Sequence, residues 1–344
     1  LCSEKLFSFE EMNTAPLPVI DIAPFLAATE TAEKMSIARQ LHDACSTYGA
    51  FYLTGHGIDN RAVLDRMREF FSLSESQKSA IAIREGGFTR GYIGMGEESG
   101  SDALEVKEAF SYGFPWEHGK APENSMQGEN VWPDADSVPA GWQLDMEEFY
   151  AQMIRVAEGL TKAFSLSYGM AENHLGNYCE TGDTISLLRL FHYFPYRTAD
   201  KKFPQQQDRI GSSAHTDWGF LTLILQEDGV TGLQLHKDGE WYDVPPVPET
   251  LMVNCGDYFS LLTRGEYSSP LHRVVSEGKE RMSGVLFYYP SYDARIPLLG
   301  KQDYSLFKNQ VKDGGMVDTT AVTDKPFGQY IREKWEQVQR SEKH

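Results

Sequence analysis

The alternation of apolar and polar positions divides the chain into a helical front, a β-rich middle and a helical tail. Between Thr31 and Gly49, residues Ile37, Leu41, Ala44, Cys45 and Tyr48 recur at helical spacing, and Gly49 is placed to end the helix. Ala50 to Thr54 then reads as a strand. Asn60 is the expected N-cap of a helix burying Val63, Met67 and Phe70, and a longer helix carries Phe149, Met153, Ala157, Leu160 and Phe164 on one face. Residues 84–142, rich in Gly, Pro, Ser and Glu, lack periodicity and read as long loops that could cover a cleft. Phe327, Ile331, Trp335 and Val338 mark a last amphipathic helix.

From about Thr184 to Pro290 the texture is short runs of Leu, Ile, Val, Phe and Tyr broken by turn residues. The clearest of these is LQLHKDGEWYDV, where Asp238-Gly239 between alternating runs predicts a tight hairpin. Many short strands in about a hundred residues suggest a sandwich, jelly roll or barrel. No repeat or low-complexity tract divides the 344 residues, so one elaborated domain is expected, mainly β with flanking helices.

Composition narrows the function classes. A formal charge of −18 argues against nucleic acid or an anionic membrane as partner, since both are held by clustered Lys and Arg. No apolar run approaches the length needed to cross a bilayer. The four cysteines (Cys2, Cys45, Cys179 and Cys255) show no CxxC spacing, which points to free thiols in a reducing compartment. The opening LCSEKLFSFEEM has neither the basic start nor the apolar stretch of a secretory signal, so the cytoplasm is expected, with an organelle leader ahead of Leu1 left open. With no coiled-coil stripe, a monomer is expected.

Candidate chemistry enters in the β region. His215 and Asp217 in Ala214-His215-Thr216-Asp217 share a face of an extended segment, and His272 can join them if another strand folds back alongside. Two imidazoles and a carboxylate form a facial triad that leaves positions open on Fe(II), although zinc could use the same three ligands. Nine residues after His272, Arg281-Met282-Ser283 offers a guanidinium and a hydroxyl to a carboxylate, against the blander reading of a surface ion pair.

These motifs carry a family resemblance. Leu17-Pro18-Val19-Ile20-Asp21, Tyr48-Gly49-Ala50-Phe51-Tyr52-Leu53, Gly55-His56-Gly57, Arg90-Gly91-Tyr92 and Lys107-Glu108-Ala109-Phe110 come first. His215-Thr216-Asp217, Asn254-Cys255-Gly256-Asp257, His272-Arg273-Val274 and Arg281-Met282-Ser283 follow in order. Together they resemble the isopenicillin N synthase-like branch of the iron(II)- and 2-oxoglutarate-dependent dioxygenases, over most of the chain.

The resemblance implies a double-stranded β-helix core at 184–295, with 1–183 packing on it and 296–344 ending in a helix. It implies His215, Asp217 and His272 as iron ligands, and Arg281 and Ser283 on the distal carboxylate of 2-oxoglutarate, with O2 as the other co-substrate. Tyr193 corresponds to a third co-substrate contact, but Phe191 stands where that motif has Asn. The expected reaction is oxidation of an unactivated C–H bond of a small molecule, by hydroxylation, desaturation or ring closure, with an amino-acid-derived specialised metabolite as the expected substrate. A same-fold oxidase using no 2-oxoglutarate and a non-catalytic metal-binding scaffold remain as alternatives.

For the other candidates the residues offer two readings each. His42 and His56 read as structural, His192 as a core residue facing away from Tyr193, and His236 as exposed at the hairpin. Trp218 and Phe220 read equally as pocket wall or as barrel packing. Arg90, Tyr92, Arg189, Tyr196, Arg197 and Arg264 are the polar residues to inspect for substrate contact, and a carboxylated substrate requires an arginine among them to face the cavity.

Overall fold

A computed structural model describes residues 13–28, 31–83, 89–97, 105–195, 210–276, 278–295 and 325–341. Two helices come first: α1 (Ala23–Ala27) and α2 (Thr31–Thr47). After α2 the chain turns at Gly49, whose φ of 69° is left-handed and whose missing Cβ would lie 2.2 Å from the Ser268 carbonyl oxygen. The strand expected next is β2 (Ala50–Thr54), which pairs in parallel with β1 (Val19–Asp21).

Helix α3 (Asn60–Phe71) begins one residue away from the expected cap. Asp59 is its N-cap, accepting from the Ala62 amide, while Asn60 is the first helical residue and is buried because its side-chain amide donates to the Thr250 carbonyl at 3.1 Å. Asp and Asn cap equally well, so the sequence could not choose between adjacent positions. A short α4 (Glu75–Ser79) follows with a capping box between Ser74 and Gln77.

The expected loop 84–142 is in part sheet. Its residues 84–88 and 98–104 lie outside the described residues, but β3 (Gly91–Ile93) and β4 (Lys107–Gly113) form the edge of the larger sheet. All seven residues of β4 are buried, with polar Lys107, Glu108 and Ser111 among them. Those polar side chains hid the strand from a search for apolar alternation.

Helix α5 (Trp142–Ser167) buries Phe149, Met153, Ala157, Leu160 and Phe164 as its spacing predicts. The remaining strands are β5 (Leu187–Tyr193), β6 (Ile210–His215), β7 (Leu221–Gln226), β8 (Leu233–Lys237), β9 (Glu240–Asp243), β10 (Leu251–Cys255), β11 (His272–Val275) and β12 (Arg281–Tyr288). Between β10 and β11 lies α6 (Asp257–Leu262). At the β8–β9 hairpin Asp238 and Gly239 both have positive φ, 54° and 87°, as a two-residue primed turn demands. His236 beside it is half-buried rather than exposed, because its ring packs on Trp241 at 5.0 Å.

The strands form an eight-stranded sheet, β1-β2-β10-β7-β12-β5-β4-β3, and a four-stranded sheet, β6-β11-β8-β9. The sheets face each other: Phe191, Tyr193, Ile224, Met252 and Val285 of the large sheet pack with Leu233, Leu235 and Val274 of the small one. On the other face of the large sheet, Leu188, Leu190, Leu223, Val253 and Leu286 pack with Met67, Phe70, Phe149, Met153 and Leu160 of α3 and α5. The central strands of the large sheet are therefore buried on both sides, which explains runs such as LTLILQ that do not alternate. This is the jelly-roll layout that the strand pattern suggested.

The last helix, α7 (Phe327–Ser341), buries Phe327, Ile331 and Trp335; the side chain of Val338 lies outside the described residues. No helix among the described residues is long and apolar enough to cross a membrane. Cys45, Cys179 and Cys255 are buried and free, and Cys2 lies outside the described residues.

Candidate metal and co-substrate site

Strand β11 runs antiparallel to β6 with His272 directly opposite His215, so the fold-back that the sequence required is made by adjacent strands of the small sheet. The two imidazole rings are 4.3 Å apart between centroids. Asp217, two residues past the end of β6, reaches both: one carboxylate oxygen lies 3.8 Å from His215 Nε2 and the other 3.7 Å from His272 Nε2. One ligand atom from each residue lies within 4.8 Å of the others. Among the described residues this is the one cluster of His, Cys, Asp and Glu able to hold a metal ion.

Hydrogen bonds orient each member. His215 Nδ1 lies 2.6 Å from the Ser213 carbonyl and His272 Nδ1 lies 3.0 Å from the Pro270 carbonyl. An Nδ1–H donating to a carbonyl fixes the tautomer in which the Nε2 lone pair is free for a metal. Asn254 at the end of β10 donates to Asp217 at 2.8 Å. The close approach needs Gly256, where a Cβ would stand 2.2 Å from the Gly219 carbonyl oxygen. The Asp257 amide then donates to the Asp217 carbonyl at 2.7 Å, locking the turn that presents the carboxylate.

Electrostatics keep His215 and Asp217 in metal-binding form. Burial, reinforced by the neighbouring His272, lowers the His215 pKa to about 4, so its imidazole is neutral at physiological pH. The His215 side chain keeps 40% of its surface open. Burial alone would raise the pKa of Asp217, but His272, His215 and donors from Asn254 and Thr222 hold it below the ordinary carboxylate value. Asp257 beside it is raised to about 7 by burial, against donors from Ser269 and Thr216.

One further residue that the sequence reading did not single out, Glu105, supports His215. Glu105 accepts the Ser213 amide at 2.7 Å and Lys107 at 2.5 Å, tying β6 to the large sheet at the point where His215 is carried. No local motif announces this contact, because Glu105 and Ser213 meet only through folding.

Along the inner face of the large sheet, β12 places Arg281 opposite Tyr193 and Ser283 opposite Phe191 and Gln226. Arg281 is buried, with one Nη donating to Gln226 at 3.0 Å and its guanidinium 5.1 Å from the Tyr193 ring. Its Nε and other Nη are buried without a partner. Burial depresses the proton affinity of this guanidinium, against opposing effects of Tyr193 and of the Glu227 charge, and among the described residues no carboxylate forms an ion pair with it. A buried cation with two open donors is costly unless an anion completes it, and a fork of this shape suits a carboxylate. The surface-ion-pair reading of Arg281 is thereby removed. Gly211 on β6 makes room for the Tyr193 ring, which an added Cβ would meet at 2.7 Å.

The other candidates separate cleanly. His42 bonds the Tyr267 hydroxyl at 3.0 Å, and His56 accepts the Ile58 amide at 3.1 Å. His192 faces away from Tyr193 and meets Glu108 at 2.8 Å. Phe220 is fully buried and stacks on Phe259 at 4.2 Å, so it is packing. Trp218, half-buried, meets Trp335 edge-on at 5.4 Å. Arg90 is buried with one donor on the Met126 carbonyl, Tyr92 donates to Glu108, and Arg264 is exposed after α6. Tyr196 and Arg197 lie outside the described residues. Arg189 shares the inner face with Phe191 and Tyr193 by strand alternation.

Comparison with known proteins gives this geometry its context. Residues 17–135 match the family model described as non-haem dioxygenase in morphine synthesis N-terminal, and residues 184–290 match that of the 2OG-Fe(II) oxygenase superfamily. The chain is 32% identical over 300 residues to homoarginine-6-hydroxylase 2-ODD-C23 of Glycine max, a match spanning 81% of this chain and 87% of the relative. It is 34% identical over 294 residues to the 2-oxoglutarate-dependent dioxygenase citB of Monascus ruber, spanning 81% and 86%. A full-length Neurospora crassa protein crystallised in complex with alpha-KG shares the fold, with a TM-score of 0.75 at 23% identity over 95% of this chain and 98% of that one.

The cofactor is Fe(II), the co-substrates are 2-oxoglutarate and O2, and the reaction is oxidation of a small-molecule substrate. The two family matches lie on the two halves that build one barrel, and with the relatives they establish that this chain belongs to the 2OG-Fe(II) oxygenase superfamily of Fe(II)- and 2-oxoglutarate-dependent dioxygenases.

Proposed function

We propose that His215, Asp217 and His272 hold the iron, that Arg281, Ser283 and Tyr193 hold 2-oxoglutarate, and that the chain oxidises an unactivated C–H bond of an amino-acid-derived specialised metabolite. The observation that carries the assignment is the pairing of two incomplete sites in one barrel. Three ligand atoms converge within 4.8 Å at one place, and on the same inner surface Arg281 presents two buried donors without a partner. Two imidazoles and a carboxylate suit Fe(II), and the Arg281 fork suits the far carboxylate of a dicarboxylic keto acid.

When bound, iron with 2-oxoglutarate and O2 supplies an oxidant able to take hydrogen from a C–H bond, 2-oxoglutarate leaving as succinate and CO2. The chain's own part is to fix and to exclude. The Ser213 and Pro270 carbonyls hold the two imidazole tautomers, and Asn254 holds the carboxylate. Gln226 aims Arg281, while Phe191, Val274 and Val285 fill the inner layer with apolar atoms and keep water out. Phe191, in place of an amide side chain, adds to that apolar layer and leaves Tyr193 and Ser283 as the polar companions of Arg281.

The division of the chain into a catalytic core at 184–295, a packing region at 1–183 and a terminal segment at 296–344 fits this reading. The acidic charge supports a small-molecule ligand over nucleic acid, and buried free thiols support a reducing compartment such as the cytoplasm. A monomer supplies every residue of the proposed site.

The amino-acid-derived substrate class is supported by the homoarginine-6-hydroxylases among the relatives. The test is anaerobic loading with Fe(II), then O2 with 2-oxoglutarate and a pool that includes homoarginine, reading succinate and product masses together. A product heavier by one oxygen indicates hydroxylation, and one lighter by two hydrogens indicates desaturation or ring closure. Turnover confined to compounds unrelated to amino acids overturns the substrate class.

A further inference from the structure

His215 and Asp217 meet on the metal side, with His215 Nε2 3.8 Å from an Asp217 oxygen. Thr216, the residue between them, does not join them there. Its hydroxyl reaches the start of α6 instead and donates to Asp257 Oδ2 at 3.2 Å. The Asp257 amide donates in turn to the Asp217 carbonyl at 2.7 Å. One residue therefore holds the ligand-bearing stretch at two points, a side chain and a backbone oxygen.

The neighbouring amides extend this grip along the turn. Gly256 donates to the Phe220 carbonyl at 3.0 Å and Tyr258 to the Gly219 carbonyl at 3.1 Å. Residues 256–258 thus follow the turn 217–220 amide by carbonyl, and of the three Asp257 alone adds a side-chain bond to the ligand stretch.

Packing does not explain a carboxyl at this position. Asp257 is 2% exposed, and among the described residues it forms no ion pair with a Lys or Arg. A carboxyl buried without a paired cation costs the empty fold stability, and an apolar residue would fill the space at less cost. What the carboxyl supplies is direction. Rotation of the short stretch 215–217 about its own axis would swing both ligands at once, and a hydrogen bond to the side chain between them resists that rotation. Groups that orient metal ligands in this way commonly change metal affinity by about 10- to 100-fold when removed.

We propose that Asp257 is a positioning residue for the metal centre: through the Thr216 hydroxyl and the Asp217 carbonyl it sets the direction in which His215 and Asp217 face the ion. Its side chain acts as a hydrogen-bond acceptor, and its negative charge is not required. This inference rests on the metal assignment above and adds a residue that acts through the ligands rather than on the ion.

The test titrates the full chain anaerobically with Co(II), whose d–d absorption reports the geometry of its ligands as well as their occupancy. Thr216→Val keeps the branched shape of the side chain and removes the donor; Asp257→Ala removes the acceptor and keeps the backbone amide. Each should weaken Co(II) binding by about 10-fold or more and, at saturating Co(II), shift the position or intensity of the d–d band. The double variant should be no weaker than Asp257→Ala alone, since both changes remove the same bond. Asp257→Asn, whose amide oxygen can accept from Thr216, should restore most of the affinity and the unaltered spectrum.

An unchanged Co(II) affinity and spectrum in Thr216→Val, additive losses in the double variant, or a loss in Asp257→Asn as large as in Asp257→Ala overturns the proposal. So does a lowered melting temperature with an unaltered spectrum at saturating Co(II), which would make Asp257 merely structural. If Asp257→Ala does not fold, Thr216→Val and Asp257→Asn decide between the same outcomes. Asp217→Ala is titrated beside them. Co(II) bound by that variant as tightly as by the unaltered protein would count against the metal assignment itself; binding lost there but kept in Thr216→Val and Asp257→Ala would count against the positioning role alone.

Discussion

Replacing Arg281 by Met should make the empty protein no less stable while nearly abolishing its response to 2-oxoglutarate. In the empty protein this guanidinium is buried, with one hydrogen bond to Gln226 and two nitrogens unpaired. A buried charge without a counter-charge is a net cost, and apolar replacement at such sites is often neutral or stabilising by about 1–4 kcal/mol. Met keeps most of the buried stem volume. The two open donors are what a carboxylate would use. At about 1.5–3 kcal/mol for each hydrogen bond to a charged group, losing both weakens 2-oxoglutarate by roughly 3–6 kcal/mol, or about 100- to 10,000-fold.

The assay is thermal unfolding of the iron-loaded protein under anaerobic conditions, with and without 2-oxoglutarate. The unaltered protein should gain about 2.7 kcal/mol at a hundred times the dissociation constant, and Arg281→Met should gain nothing at that concentration. A melting temperature well below that of the unaltered protein in the empty state would show Arg281 to be structural. Affinity for 2-oxoglutarate within twofold of the unaltered protein would refute the clamp.

Three more outcomes follow from the same geometry. His215→Ala and Asp217→Ala should each abolish O2-dependent turnover in proteins that still unfold cooperatively; turnover retained by either variant rules it out as a required ligand. Asn254→Ala removes the donor at 2.8 Å from Asp217 and should weaken iron binding by about 10- to 100-fold, checked by anaerobic metal titration. For pH, burial would raise the Glu108 carboxyl, but contacts with His192, Lys78 and Tyr92 hold its pKa below the ordinary value. In the window below about pH 4.5 the unfolded chain takes up this proton before the native state does, so stability present above that pH is lost as pH falls through the native pKa. Glu108→Gln should flatten that acid limb and, by leaving buried Lys78 without its closest partner, cost about 3–5 kcal/mol near neutrality. Denaturant titrations across pH read both effects, and an acid limb unchanged in Glu108→Gln would contradict the account.

Much of the site was legible because its signals are local. The His215-x-Asp217 spacing and the Arg281-x-Ser283 spacing both put two side chains on one face of a strand, whatever the tertiary fold. The hairpin at Asp238-Gly239 was legible for the same reason, since two positive φ angles select those residue types. What stayed hidden depends on long-range pairing. Gln226 gains its role only from standing opposite Ser283 across β7 and β12, and Glu105 from meeting the Ser213 amide 108 positions later. Strand β4 was missed because its Lys107, Glu108 and Ser111 are buried against partners that no pattern of apolar residues can announce.

The most direct test of the central claim is the stoichiometry of 2-oxoglutarate consumed to succinate formed, measured with Fe(II), O2 and an accepted substrate, in the unaltered chain and in Asp217→Ala. One succinate for each 2-oxoglutarate, dependent on added Fe(II) and lost in Asp217→Ala, is the predicted result. Oxygen uptake and substrate oxidation without succinate, or succinate formation undiminished in Asp217→Ala, would contradict it.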